Sequence, residues 1–323
     1  MNKMLNLDEI LAGAKTVGIA GHVRPDGDCC GSCLALCQYI CSYYPQIKAD
    51  VYLEEIPNSF RFLKGADRIR HEASEDQTYD VFFALDCGDA KRLGFAECLF
   101  EHAGQTVCID HHVSNQMFAD HNDIEPDASS TSELVYNLME KERITKEIAE
   151  ALYLGIVHDT GVFQYSCTKP STMEAAAELL RKGIHASEIV EKTFYEKTYE
   201  QNQVLGKALL ESIRLMDGQV IFSYITKASM EFFGVKAKDL EGIVSQLRLT
   251  KGVEVAVFLY ELQKGEFKVS LRSKQKVDVS KVAQYFGGGG HVRAAGLTMR
   301  GTAHDVINNV MRLIAPQLED ETA

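Results

Sequence analysis

The stretch TVGIAGHVRPDGDCCGS, residues 16–32, joins a short apolar run to a loop that crowds His22, Arg24, Asp26 and Asp28 together. An apolar run of this length, ended by Gly21, reads as a buried strand. Open α/β sheets bind their ligands outside the carboxyl ends of the strands, so the charged loop sits where such a fold puts its chemistry.

Working outward, ADVYLEE, YDVFFALDCGD and QTVCIDHH read as further strands, with helical segments from about Gly31 and near Phe95 between them. This alternation predicts an α/β fold with a mostly parallel sheet. More helical segments are expected at about 131–143, 145–158 and 171–183. YEQNQVLGKALLESIRLMDG reads as one long, largely polar helix, suited to connect two domains. Beyond it QVIFSYIT, VEVAVFLYEL and EFKVSLRS are expected strands, LQKGE is a turn, and a last helix covers about 303–315. The expected organisation is a catalytic, metal-binding domain over 1–190, a helical linker over 191–215 and a smaller α/β substrate-binding domain over 216–323.

Composition agrees with two cores. The chain has 323 residues, 46% of them hydrophobic, and single domains usually run about 100–200 residues. Its net charge of −12 argues against a long-duplex binder, which would present a basic stripe. Lys and Arg number 20 against 34 Asp and Glu up to residue 215, and 14 against 12 after it. The first part can therefore concentrate cations, and the second can face an anion. The N-terminus carries acids where a signal peptide needs a basic segment, and no long apolar run follows, so a cytoplasmic protein without membrane contact is expected. Nine cysteines point to reduced thiols. Cys30, Cys33, Cys37 and Cys41 recur at helical spacing and read as a buried helix face in preference to a zinc site.

The acidic residues converge on this map. His22 ends the first strand, Asp26 and Asp28 follow it, Asp86 ends VFFAL, and Asp110, His111 and His112 end QTVCI. Asp159, in LGIVHDTGVF, closes an apolar helical run before Gly161. So many like charges cannot stay ionised together without a cation among them. Carboxylates mixed with imidazoles suit manganese, magnesium or a similar octahedral ion. Six ligands fit two ions sharing a carboxylate, about 3.5–4 Å apart, which can clamp a phosphoryl group and activate water.

GHVRPDGDCCGS, ALDCGD, IDHH and GIVHDTGVF resemble the four motifs of the DHH phosphoesterases, and FGGGGHVRAAG resembles the signature of their DHHA1 partner domain. Within that family the chain is similar to the compact NrnA-type proteins, which act on very short RNAs and on 3′-phosphoadenosine 5′-phosphate. The resemblance implies that His22, Asp26 and Asp86 hold one ion and that Asp28, Asp86, His111 and Asp159 hold the other. It also implies that Asp110 orients a histidine and that His112 faces the scissile phosphate or leaving oxygen. Two manganese ions are the expected cofactors, with magnesium or cobalt as alternatives. Arg24 and His158 depart from many relatives and are not counted as ligands.

The glycine run at 287–290 would let backbone N–H groups of Gly288, Gly289 and Gly290 approach an anion. His291, Arg293, Arg272 and Ser273 are suited to a terminal phosphate. Arg92 is a candidate phosphate contact near the metal edge. SSTSE at 129–133 reads as a capped helix start first and a phosphate site second. Short RNA oligonucleotides and nucleoside bisphosphates are the expected partners, with a homodimer as a candidate assembly. Cyclic or linear dinucleotides are the alternative substrates. A family II pyrophosphatase shares the first motifs but not GGGGH, and a nucleotide sensor with an inactive centre would have lost ligands that are all present here.

Overall fold

The computed structural model describes residues 5–74 and 76–319, apart from the side chain of His291. It divides after Glu196 into two compact units. The first is built on five strands: β1 (Thr16–Ala20), β2 (Lys48–Tyr52), β3 (Val81–Leu85), β4 (Thr106–Asp110) and β5 (His121–Ile124). They run parallel in the order β2-β1-β3-β4-β5. The chain leaves β1 toward one edge and returns toward the other, so the order reverses between β1 and β3. All five residues of the central β3 are buried, which is why it reads as a continuous apolar run. Its side chains alternate: Val81, Phe83 and Leu85 join the core under the helices Gly27–Tyr43 and Lys146–Asp159, while Phe82 and Ala84 join Tyr52, Leu99 and Phe100 on the other face.

The Gly27–Tyr43 helix begins four residues before the expected start at Gly31. Asp26 caps it, accepting from the backbone N–H groups of Asp28 and Cys29 at 3.1 Å each. Cys29, Cys30 and Cys33 are buried in the apolar core. The edge strand β5 was not anticipated, because HNDI is polar and only half-buried.

The second unit carries a six-stranded sheet of β6 (Ile213–Leu215), β7 (Val220–Ile225), β8 (Val255–Gln263), β9 (Glu266–Ser273), β10 (Gly289–His291) and β11 (Ala294–Arg300). The order is β10-β11-β9-β8-β7-β6, with only β7 and β8 parallel. Buried positions alternate along β9. The helices Val279–Tyr285 and Ala303–Glu319 cover one face. Helices Tyr199–Leu210 and Ile243–Arg248 cover the other.

One expectation changes here. Of the segment read as a helical linker over 191–215, Glu191–Tyr195 is a π-helical turn, Ile213–Leu215 is an edge strand, and the α-helix is confined to Tyr199–Leu210. That helix belongs to the second unit's core: Val204 and Ala208, one turn apart, are fully buried. A stripe this narrow is outvoted by the polar residues around it in any average over the segment. The glycine run, read as an approach for an anion, is folded into a helix end and a hairpin. The N–H groups of Gly287 and Gly288 donate to Gln284 and Ala283 carbonyls at the end of the Val279–Tyr285 helix. Gly290, at φ +141°, then enters a hairpin so tight that a β-carbon would lie 2.5 Å from the Ala294 carbonyl oxygen. Among the described residues no helix is long and apolar enough to cross a membrane.

Candidate metal centre

His22 follows β1, Asp86 follows β3, and Asp110 ends β4 before His111 and His112, so three adjacent strand ends deliver the group. Asp86 has φ +57°. Aspartate tolerates this left-handed conformation better than most residues, and holding it costs about 1–3 kcal/mol, which the packed strands on either side sustain. The turn aims the two carboxylate oxygens of Asp86 at different neighbours. Oδ2 lies 3.4 Å from His22 Nε2, and Oδ1 lies 3.6 Å from His111 Nε2.

Three donor groups result. His22 Nε2 is 3.6 Å from Asp26 Oδ1 and completes the first with Asp86. His111 Nε2 is 3.9 Å from Asp28 Oδ2 and 3.0 Å from Asp159 Oδ2, forming the second. Donors around one octahedral ion stand about 3.0 Å apart when adjacent and about 4.2 Å when opposite, for bonds of about 2.1 Å. The observed separations fall in that range. All three groups offer only oxygen and nitrogen, the donor set of manganese or magnesium and not of a thiolate zinc site. Asp86 enters the first group through Oδ2, while its Oδ1, 3.6 Å from both His111 Nε2 and His112 Nδ1, joins those histidines in the third group.

The electrostatics state the same need. Asp28 is fully buried; burial, then repulsion from Asp86 and Asp159, drives its pKa well above the carboxylate range. Burial lifts Asp159 to about 6 against the pull of His111. Burial opposes charge on Asp86 as well, but the imidazoles of His111 and His22 hold it low. Burial would lower both histidines. The Cys29 sulfur with Asp26 and Asp86 for His22, and Asp159 with Asp86 for His111, raise each to about 12 instead. Protons thus supply positive charge that divalent cations would supply when bound.

Asp28 is positioned from far along the chain. Its oxygens accept from the backbone N–H groups of Thr131 (2.6 Å) and Ser132 (2.8 Å), in the first turn of the Thr131–Leu138 helix. The helix start that was read as a capped terminus therefore holds a carboxylate of the site itself. Gly155 makes room: a β-carbon there would lie 2.0 Å from Ser132 Oγ and 2.7 Å from Asp28 Oδ1. Asp159 ends the Lys146–Asp159 helix, and Gly161, Val162 and Phe163 after it all have positive φ. For the β-branched Val162 that is a strained conformation.

Asp110 Oδ1 accepts from His112 Nδ1 at 2.7 Å, while its Oδ2 accepts from Asn115 Nδ2, also at 2.7 Å. Asn115 additionally donates to the Cys87 carbonyl. Asn115 was missed by the sequence reading, since an asparagine in a loop carries no pattern. The hydrogen bond to Asp110 raises His112, against burial.

Other candidates lie elsewhere or serve structure. His158 is packed edge-on against Phe60 and Phe194, bonds Thr193 Oγ1 at 3.0 Å, and is lowered by burial to about 4. Arg24 is exposed, at φ +57°, with its N–H on Glu54 Oε2. The Arg92 carbonyl accepts from Val23 N–H at 2.8 Å, tying its loop to the first motif. In the second unit, Ser273 is buried and donates to the Val277 carbonyl at 2.6 Å, and Arg293 Nη1 donates to the same carbonyl at 2.9 Å. Arg272 Nη1 donates to the Leu271 carbonyl. Arg272 pairs with Ala294 across β9 and β11, one residue from Arg293. The side chain of His291 lies outside the described residues.

The description "DHH family, N-terminal domain" matches residues 16–156, and that of the DHHA1 domain matches 217–317. The chain belongs to the DHH/DHHA1 family of phosphoesterases, which are metal-dependent hydrolases. It is 29% identical over 307 residues to the "Bifunctional oligoribonuclease and PAP phosphatase NrnA" of Thermus thermophilus, covering 93% of this chain and 89% of that one. The protein of the same name from Bacillus subtilis is 28% identical over 88% of this chain and 89% of its own length. A crystal structure of an exopolyphosphatase-related protein from Bacteroides fragilis superposes with a TM-score of 0.88 at 27% identity, covering 95% of this chain and 94% of that one.

Proposed function

We propose that this protein hydrolyses short oligoribonucleotides and 3′-phosphoadenosine 5′-phosphate, using two divalent cations, manganese foremost. His22, Asp26 and Asp86 would hold one ion, and Asp28, Asp86, His111 and Asp159 the other. The observation that carries this reading is the two-sided presentation of Asp86. The substrate class follows the names of the Thermus and Bacillus relatives.

When bound, the two cations supply Lewis acidity, making water nucleophilic near neutral pH and offsetting charge on the phosphoryl group. The chain's own residues do the rest. The strained turn at Asp86 and the helix start at Thr131 fix two carboxylates before substrate arrives, so no reorganisation is needed during reaction. Asn115 and Asp110 fix the His112 ring. Asp110 favours the protonated form of His112, which can release a proton from Nε2 to the departing oxygen. Arg272 and Arg293 of the second unit are proposed to hold a far phosphate.

The test is a substrate panel with manganese: RNA of a few nucleotides, a long RNA, 3′-phosphoadenosine 5′-phosphate, cyclic dinucleotides and pyrophosphate. The short RNAs and the bisphosphate should turn over fastest, and excess chelator should stop all hydrolysis. Undiminished turnover in chelator removes the metal mechanism. Activity confined to pyrophosphate or cyclic dinucleotides removes the substrate assignment.

A further inference from the structure

The Gly27–Tyr43 helix bears Asp28 in its first turn and Gln38 ten residues later, roughly 15 Å farther along the axis. Beside that distant half lies a cavity of about 380 Å³ within the first unit. The helix contributes Leu34, Gln38 and Cys41, the edge strand side contributes Ile47 and Val51, and the following loop contributes Lys64 and Arg68. The volume lies within the range of small-molecule sites, about 300–1,000 Å³.

Gln38 is the feature that packing does not explain. Neither its amide nitrogen nor its amide oxygen has a hydrogen-bond partner, and neither is exposed to solvent. Each such orphan costs about 1–3 kcal/mol. A leucine would fill the same space without that cost. Since both atoms are closed to solvent, the carboxamide would swing toward the cavity by rotation about its side-chain torsions, and there a ligand presenting a donor beside an acceptor would satisfy both at once. A nucleobase edge has that pattern, as glutamine's bidentate pairing with adenine shows. Leu34, Ile47 and Val51, all buried, offer apolar surface for the face of a base.

The rim has a sign. Lys48, Lys64 and Arg68 border the cavity against one carboxylate, Asp50. Asp50 already accepts from Arg70 (3.0 Å) and from the Tyr79 hydroxyl (2.9 Å). This cationic cluster stands out in a part of the chain where acids outnumber bases 34 to 20. It suits a phosphate.

We propose that this cavity binds a nucleoside monophosphate, its base edge on the Gln38 carboxamide and its phosphate toward Lys64 and Arg68. The site is separate from the metal centre. That its ligand is also a product of the enzyme rests on the function proposed above.

Two cysteines make the sites separately readable. Cys41 lines the cavity and is exposed, and its thiol is lowered to about 6 by the hydrogen bond with Cys37, with Arg68 assisting. Cys167 lies beside the metal centre, its sulfur 3.6 Å from the Asp159 carbonyl oxygen. Manganese-loaded protein is alkylated briefly with iodoacetamide, and both peptides are followed by mass spectrometry in adenosine monophosphate, adenosine or inorganic phosphate. The monophosphate should slow Cys41 alkylation at least about fivefold, while adenosine or phosphate alone protects far less. Gln38→Leu should raise the concentration for half-protection about tenfold, as expected for two lost hydrogen bonds, with an unchanged or higher melting temperature. Lys64→Ala, at an exposed position, should weaken protection independently of any core effect. Protection of Cys167 reports the metal centre, so failure there leaves this site standing. The proposal is overturned by unprotected Cys41 at millimolar monophosphate, by phosphate protecting as well as the nucleotide, or by unchanged protection in Gln38→Leu.

Discussion

In the first unit the ends of three parallel strands keep His22, Asp86 and Asp110 out of solvent, with Asp28 buried beside them; in the second, the buried polar side chains described are the hydroxyls of Ser223, Ser273 and Ser280. The hydroxyls are neutral and compatible with an apolar core. Imidazole neighbours hold Asp86 and Asp110 low, whereas burial and repulsion raise Asp28 and Asp159, a cost their own contacts do not offset. The contrast teaches that the buried polar groups of the first unit call for positive charge among them, whereas the buried hydroxyls of the second call for none.

Asp86→Ala is the sharpest way to break this contrast. Removing the shared carboxylate should lower kcat by at least about three orders of magnitude, some 4 kcal/mol. Without metal, the variant should melt lower than the parent at neutral pH, because the attraction of His111 and His22 that holds Asp86 low outweighs its repulsion with Asp28 and Asp159. Retention of more than about a tenth of kcat would show that Asp86 is no bridge. Calorimetric titration with manganese should find one site lost or both weakened.

Charge removal in the second unit should act on substrate use and not on metal. Arg293→Ala and Arg272→Ala should each lower kcat/KM on short oligonucleotides about 10- to 150-fold, the value of a charge-assisted contact of roughly 1.5–3 kcal/mol. Turnover of a small chromogenic phosphodiester should stay nearly unchanged. Equal losses on both substrates would place these arginines at the reacting phosphate and erase the division between the units.

The smallest effect tests how the first unit supports Asp28. Glu133 accepts from Ser129 N–H and Oγ, from Ser171 Oγ and from Thr172 Oγ1, all around the helix start that holds Asp28. Burial would raise its pKa, but these donors outweigh burial and lower it. A depressed carboxylate contributes stability above its unfolded pKa, and this is lost as pH falls through the folded value. Glu133→Gln should therefore cost about 1–3 kcal/mol at neutral pH. The gap in thermal unfolding should narrow below about pH 4, where the unfolded parent is also protonated.

Much of the site is legible in the sequence because its parts are local. A short apolar run followed by His22, Asp26 and Asp28, or by Asp86, or by His111 and His112, announces a strand and candidate site residues together. Carboxylates and imidazoles also narrow the class of ion they could hold. Where reading failed, an average hid a minority signal. Val204 and Ala208 are only two positions in a polar helix, yet they bury it in the second unit's core. For the glycine run, read as an approach for an anion, glycine signals only permission, and the structure uses that permission for pairing with β11 in a hairpin.

The amino-acid sequence by itself determined the order of strands and helices, the donor types and the strand ends from which they project, since these depend on side-chain periodicity and on residues close along the chain. Only the tertiary structure decided that Thr131 and Ser132, more than a hundred residues away, give their N–H groups to Asp28, that Asn115 holds Asp110, and that Gln38 borders a cavity without a partner. Each depends on which elements pack together, and packing is fixed by the summed burial of whole faces, which no single residue announces.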